Sequence, residues 1–140
     1  MTEHFQRTHV LAFIAAVDQV ELLFRGQYGG VKDLSDVIRL ARRREIPRKG
    51  KLVGGHEFEV HGAGCLVIDR TGRIVDVDFL EARLPIFDGW RLQRFAASSG
   101  VDLADVGEIL EICRALVSEG VLKEPREGWF AVSQREMRPS

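Results

Sequence analysis

The sequence predicts an α+β fold: an N-terminal helical pair, a central antiparallel sheet built on a 56–81 hairpin, two further helices and a C-terminal hairpin. Two observations carry that prediction. Apolar residues recur at helical spacing near both ends of the chain, but at alternate positions through its middle. Capping and turn residues stand at the junctions between these patterns.

Val10, Phe13, Ile14, Val17, Val20 and Phe24 form one apolar stripe, so residues 4–25 read as an amphipathic helix. Gly26 and Tyr28-Gly29-Gly30 are expected to end it. Leu34, Val37, Ile38 and Ala41 make a second, shorter stripe, stopped at Ile46-Pro47 because proline disfavours helix at the residue before it. Arg42-Arg43-Arg44 close that helix, where cations suit the negative end of its macrodipole. Residues 48–55 read as a Gly/Lys linker without a period. Residues 56–69 and 73–81 then alternate as two strands joined at Arg70-Thr71-Gly72. Asp88 is a candidate N-cap for a helix over 89–98, and Asp102 for a later helix ending at Gly120. VLKEPREGWFAV reads as a hairpin turning near Glu127-Gly128. Residues 1–133 are expected to form one domain, with 134–140 frayed.

A chain of 140 residues with 45% hydrophobic and 29% charged residues has the composition of a globular domain. Its net charge of −1 supplies no global field to gather nucleic acid or anionic lipid. No apolar run is long enough to span a bilayer. HVLAFIAAV is followed directly by Asp18 and Glu21, unlike a signal h-region, and a cytoplasmic location is expected. The two cysteines, Cys65 and Cys113, lie in apolar runs without CxxC spacing and read as reduced thiols.

The central hairpin gathers the residues with chemical potential. Pairing Asp69 with Ile74 sets Leu66 opposite Val77 and Ile68 opposite Val75 on one apolar face, with Phe79 extending it. The opposite face then collects His61, Cys65, Asp76 and Asp78. A three-residue loop would instead set Leu66 against Asp76 and mix the faces. His61 and Cys65, four positions apart on one strand, would stand about 13 Å apart, too far for a thiolate–imidazolium pair. Cys65 would need another histidine, such as His56, His4 or His9, unless Gly62 and Gly64 permit a bulge. Asp76 and Asp78 are spaced to share a divalent cation with His61. The reading favoured for them is an ion-pair network with Arg83, Arg91 and Arg94. Cofactors are expected to be none.

Arg39, Arg42–Arg44, Arg48, Lys49 and Lys51 form the basic concentration of the chain. No aromatic residues interleave with them, so they offer no stacking platform for bases. The final helix and hairpin have the shape of a winged-helix recognition helix and wing. Glu108, Glu111 and Glu119 on the outer positions, with Arg114 as the basic exception, argue against DNA.

HGAGC, VDVDF and FDGWRLQRFA together resemble an uncharacterised family of small bacterial domains carrying HG-x-GC, D-x-DF and F-D-x-W-R-L elements. The resemblance covers about residues 45–97 and singles out His61, Gly62, Gly64, Cys65, Asp76, Asp78, Phe79, Asp88, Trp90, Arg91 and Leu92. Such domains are similar to immunity proteins encoded beside polymorphic toxins, which implies a protein partner and no established catalytic residue. EARLPI takes the place of the polar, Gly-rich connector expected between the second and third elements.

The expected function is therefore protein binding, as an immunity-type inhibitor of a toxin-like enzyme or through self-association. Asp76, Asp78 and Glu81 would be offered to a basic partner. The enzymatic alternative is a small hydrolase or metal-assisted enzyme using His61 and Cys65, or His61, Asp76 and Asp78, though the reading leans away from an enzyme. A regulatory winged-helix module is the weaker alternative. Trp90 and Leu92 are expected to pack on the sheet, and Arg91 to reach an aspartate of the D-x-D pair. Val67 and Ile74, left uncovered, would mark an interface.

Overall fold

A computed structural model describes residues 4–79 and 84–133. The expected α+β architecture is present. Helix α1 (Arg7–Gln27) and helix α2 (Leu34–Arg42) precede strands β1 (Lys49–Leu52), β2 (His56–His61), β3 (Gly64–Ile68) and β4 (Ile74–Asp78). Then follow β5 (Phe87–Asp88), α3 (Gly89–Ser98), α4 (Val106–Ser118), β6 (Leu122–Arg126) and β7 (Trp129–Val132). Strands β1-β2-β3-β4 form an antiparallel meander, and β5-β7-β6 a second sheet. An antiparallel bridge between Asp78 and Ile86 joins β4 to the chain entering the second sheet.

Helix α1 occupies the centre. Its Phe24 meets Phe58 of β2 edge-on at 4.9 Å, and its Phe13 meets Phe87 at 4.9 Å and Phe95 of α3 at 5.2 Å. Phe58, Val60, Cys65, Val67, Val75 and Val77 line the sheet face turned to this core, all buried. Helix α2 starts on two carboxylates. Asp33 caps it by accepting the Asp36 N–H, and buried Glu21 of α1 accepts the Leu34 N–H at 3.1 Å. Among the described residues, no helix is long and apolar enough to cross a membrane.

Several local expectations are corrected. The 48–55 linker contains β1, hidden from periodicity because Leu52 is its buried apolar residue. Gly50 is required there: a Cβ would stand 3.0 Å from Phe58 Cε1, so the ring lies flat across the strand. Helix α1 runs through Gly26 to Gln27, whose amide is bonded to β1 and holds the last turn. Residues 56–69 are two strands, reversing at Gly62-Ala63 with Gly62 at φ 58°, as a II′ turn demands. The cap of α4 is Asp105, which accepts the Gly107 N–H, and not Asp102. Packing sets that start: a Cβ on Gly89 would stand 2.8 Å from Val106, and Gln93 holds the Ala104 carbonyl.

The hairpin register also differs. Leu66 pairs with Asp76, Val67 with Val75 and Ile68 with Ile74, the arrangement of a three-residue loop. Turn chemistry decides this against face purity. Asp69 Oδ1 accepts from the Thr71 N–H, the Thr71 hydroxyl and the Arg73 N–H, while Gly72 supplies φ 92°. The expected frayed tail at 134–140, and the expected roles of Glu81 and Arg83, lie outside the described residues.

Candidate functional site

The register sorts the four candidate residues onto opposite faces. Paired residues share a face, so Cys65 opposite Val77 points into the core, while His61, Gly64 and Asp78 stand side by side on the outer face with Asp76 next along. The expected single face holding His61, Cys65, Asp76 and Asp78 is thus corrected. Cys65 is 1% exposed, and burial first, with the charge of Asp76 second, pushes its thiol up to about 12. Such a thiol is protonated at neutral pH and is no nucleophile. Cys113, also buried, is likewise pushed up to about 12.

Gly64 is the pivot of the outer face. A Cβ there would meet Val77 O at 3.2 Å, His61 Cε1 at 3.3 Å and Asp78 Oδ2 at 3.4 Å. Its bare backbone lets the exposed imidazole lean across β3 toward the Asp78 carboxylate.

Helix α3 lies against β4 and covers the aspartates with two arginines. Arg91 reaches all three motif carboxylates: Nε is 3.9 Å from Asp76 Oδ2, Nη2 is 3.6 Å from Asp78 Oδ2, and Nη1 is 3.2 Å from Asp88 Oδ1. Arg94 Nη1 adds a contact at 3.4 Å to Asp76 Oδ2. The guanidinium of Arg91 is also stacked 4.8 Å over the Trp129 ring. These contacts are long for charge-assisted hydrogen bonds, and Asp76 Oδ1, Asp78 Oδ1 and Arg91 Nε are buried without a hydrogen-bond partner. Burial raises the Asp76 carboxyl above its ordinary range, against the opposing pull of Arg91, His61 and Arg94.

Three carboxylates and two guanidiniums form an ion-pair plug between α3 and the sheet, with one carboxylate in excess. Asp76 is 5% exposed, so the expected offer of Asp76 to a basic partner is corrected: its charge is spent inside the chain. Among the described residues, no group of three or more His, Cys, Asp or Glu is placed to hold a metal ion.

The remaining motif residues divide by role. Asp88 caps α3 and Leu92 is fully buried beneath it. Phe79 donates its N–H to Ala63 O and packs against the core. Trp90, expected on the sheet, is 65% exposed, because the buried arc of α3 runs through Gly89, Leu92, Phe95 and Ala96. Val67, which would mark an interface if uncovered, is buried against the core.

Two parts of this region lie outside the sequence expectations. Trp129 enters because Asp88 pairs with it across β5 and β7. On the outer face of β1–β3, Leu66 and Ile68 floor a concavity of about 440 Å³ bordered by Lys49, Lys51, Glu57 and Glu59. The three-residue loop could have revealed that floor.

Comparison with curated proteins and with solved structures finds no match. A family described as a domain of unknown function matches residues 7–131, from the start of α1 into β7. The chain belongs to that family, DUF6896.

Proposed function

We propose that this chain is a protein-binding module of the immunity type, which blocks a toxin-like enzyme by covering it. The observation that supports this reading is the open outer face of the four-stranded sheet. Half-buried Leu66 and Ile68 lie there between alternating lysines and glutamates, in a concavity of about 440 Å³. Apolar floor with a charged rim is the anatomy of a protein interface. Lys49 stands opposite Glu59 and Lys51 opposite Glu57, so the rim is charge-balanced and favours a partner that buries the apolar floor. The enzymatic alternative has lost its thiol to the core, and its two aspartates face arginines.

The test is affinity capture of the tagged chain from its native lysate under a high-salt wash, in parallel with Ile68→Asp. One stoichiometric protein held by the wild type and released by the variant, with an unchanged melting temperature, is the expected result. Absence of such a protein, or its equal retention by Ile68→Asp, overturns the reading.

A further inference from the structure

We infer that a second surface, the groove between α2 and the β2–β3 turn, docks an acidic segment of the partner anchored by one apolar side chain. This rests on the protein-binding reading above and adds the partner's chemistry. The groove encloses about 340 Å³. Ile38, Ala63 and Phe79 make its floor, and Arg39, Arg42 and Arg43 its rim.

The family elements build this groove. The Phe79 N–H donates to Ala63 O at 2.9 Å, carrying the β3–β4 ladder past Gly64 and setting the Phe79 ring beneath the HG-x-GC turn. Arg42 Nη2 lies 3.5 Å from Gly62 O, so the helix end and the turn are held side by side. Arg39 is anchored by Asp36 at 2.9 Å.

The rim is unbalanced, unlike that of the sheet face. Arg42 and Arg43 are exposed, and no ion pair joins either of them to a carboxylate among the described residues. The helix C-terminus accounts for cations in the last turn of α2. It does not account for the apolar floor of Ile38, Ala63 and Phe79 set between them. Guanidinium forks match carboxylates in pairs, and the floor accepts one apolar side chain between them. A phosphate backbone would meet the same arginines, but Phe79 is packed against the core as part of the floor, and no other aromatic residue lines the groove to stack bases.

The probe is a fluorescein-labelled Asp-Glu-Leu-Asp-Glu peptide, titrated with the full chain and followed by anisotropy. Saturable binding is expected, about ten-fold weaker at physiological than at low ionic strength, as screening of an exposed contact requires. Arg42→Gln/Arg43→Gln should weaken it about ten-fold again, the loss of about two charge-assisted contacts. Ile68→Asp should leave it unchanged, because the sheet face is elsewhere. Absence of binding, equal binding by the arginine variant, or tighter binding of a single-stranded oligonucleotide overturns the groove. Failure of the protein-binding reading is seen separately, as capture of no partner by a chain that still binds the peptide.

Discussion

Asp88 holds Arg91 at both ends. Its Oδ1 accepts the Arg91 backbone N–H at 3.0 Å, capping α3, and the same oxygen stands 3.2 Å from Arg91 Nη1. One carboxylate therefore starts the helix and aims the side chain that the helix delivers to β4. The F-D-x-W-R-L element is best understood as this device. The aspartate sets the first turn, the arginine sets a cation against the D-x-D pair, and the leucine is the buried contact beneath.

Removing Arg91 exposes how much the plug depends on it. Arg91→Ala leaves Asp76, Asp78 and Asp88 with Arg94 as their remaining cation, and uncompensated buried charge costs about 3 kcal/mol. The pH dependence has a definite sign. The Asp76 carboxyl is already raised above 3.8 by burial, and Arg91 is the largest influence opposing that rise. Without the guanidinium the folded pKa climbs further, so the folded variant binds more protons than its unfolded chain in the window above 3.8. Its stability falls as pH rises through the folded pKa and recovers as pH falls. Denaturant midpoints should show a smaller deficit against wild type at about pH 5 than at about pH 7.

The division between what the sequence discloses and what it conceals follows from range. Local chemistry is legible. Asp88 as a cap, the Glu127-Gly128 turn and the apolar stripes of α1 and α2 each depend on neighbours a few positions away. The hairpin register is not legible from alternation, because Asp69, whose three accepted hydrogen bonds fix the loop, outranks an amphipathic face. Mixing Leu66 with Asp76 costs little once α3 covers the carboxylate, and α3 lies too far along the chain for a strand pattern to foresee. Trp129 stacks on Arg91 for the same reason, through pairing of β5 with β7.

Both thiols should be silent in the folded chain. Cys65 and Cys113 are buried and pushed up to about 12, so neither carries thiolate at neutral pH. Ellman's reagent is expected to titrate neither in native buffer and both in denaturant. Rapid native reaction of Cys65 would restore the nucleophile that its burial removes.

Gln27 guards a sheet edge. On the side of β1 away from β2, Gln27 Nε2 donates to Lys51 O at 2.7 Å while its Oε1 accepts the Val53 N–H at 3.1 Å. One side-chain amide thus occupies the positions a neighbouring strand would take. Gln27→Ala should cost about 1 kcal/mol and leave β1 open to edge-to-edge pairing. Light scattering is expected to show concentration-dependent association in the variant and none in wild type.

Arg44 lies beside the proposed groove, in a neighbouring concavity with Glu45, Pro47 and Arg48. It sits just past α2 in a Schellman arrangement, with its N–H donating to Ala41 O at 3.1 Å and the Glu45 N–H to Leu40 O at 2.9 Å. That arrangement places the residue at φ 61°, where a Cβ is unfavourable and glycine is free of strain. Arg44→Gly should therefore stabilise the fold by about 1 kcal/mol, seen as a higher melting temperature. Arg44 does not line the groove, so the same substitution should leave binding of the acidic peptide close to that of the wild type. A variant that is more stable but binds much more weakly would extend the groove to Arg44. One that is less stable would mean that its side chain makes a packing contribution larger than its backbone strain.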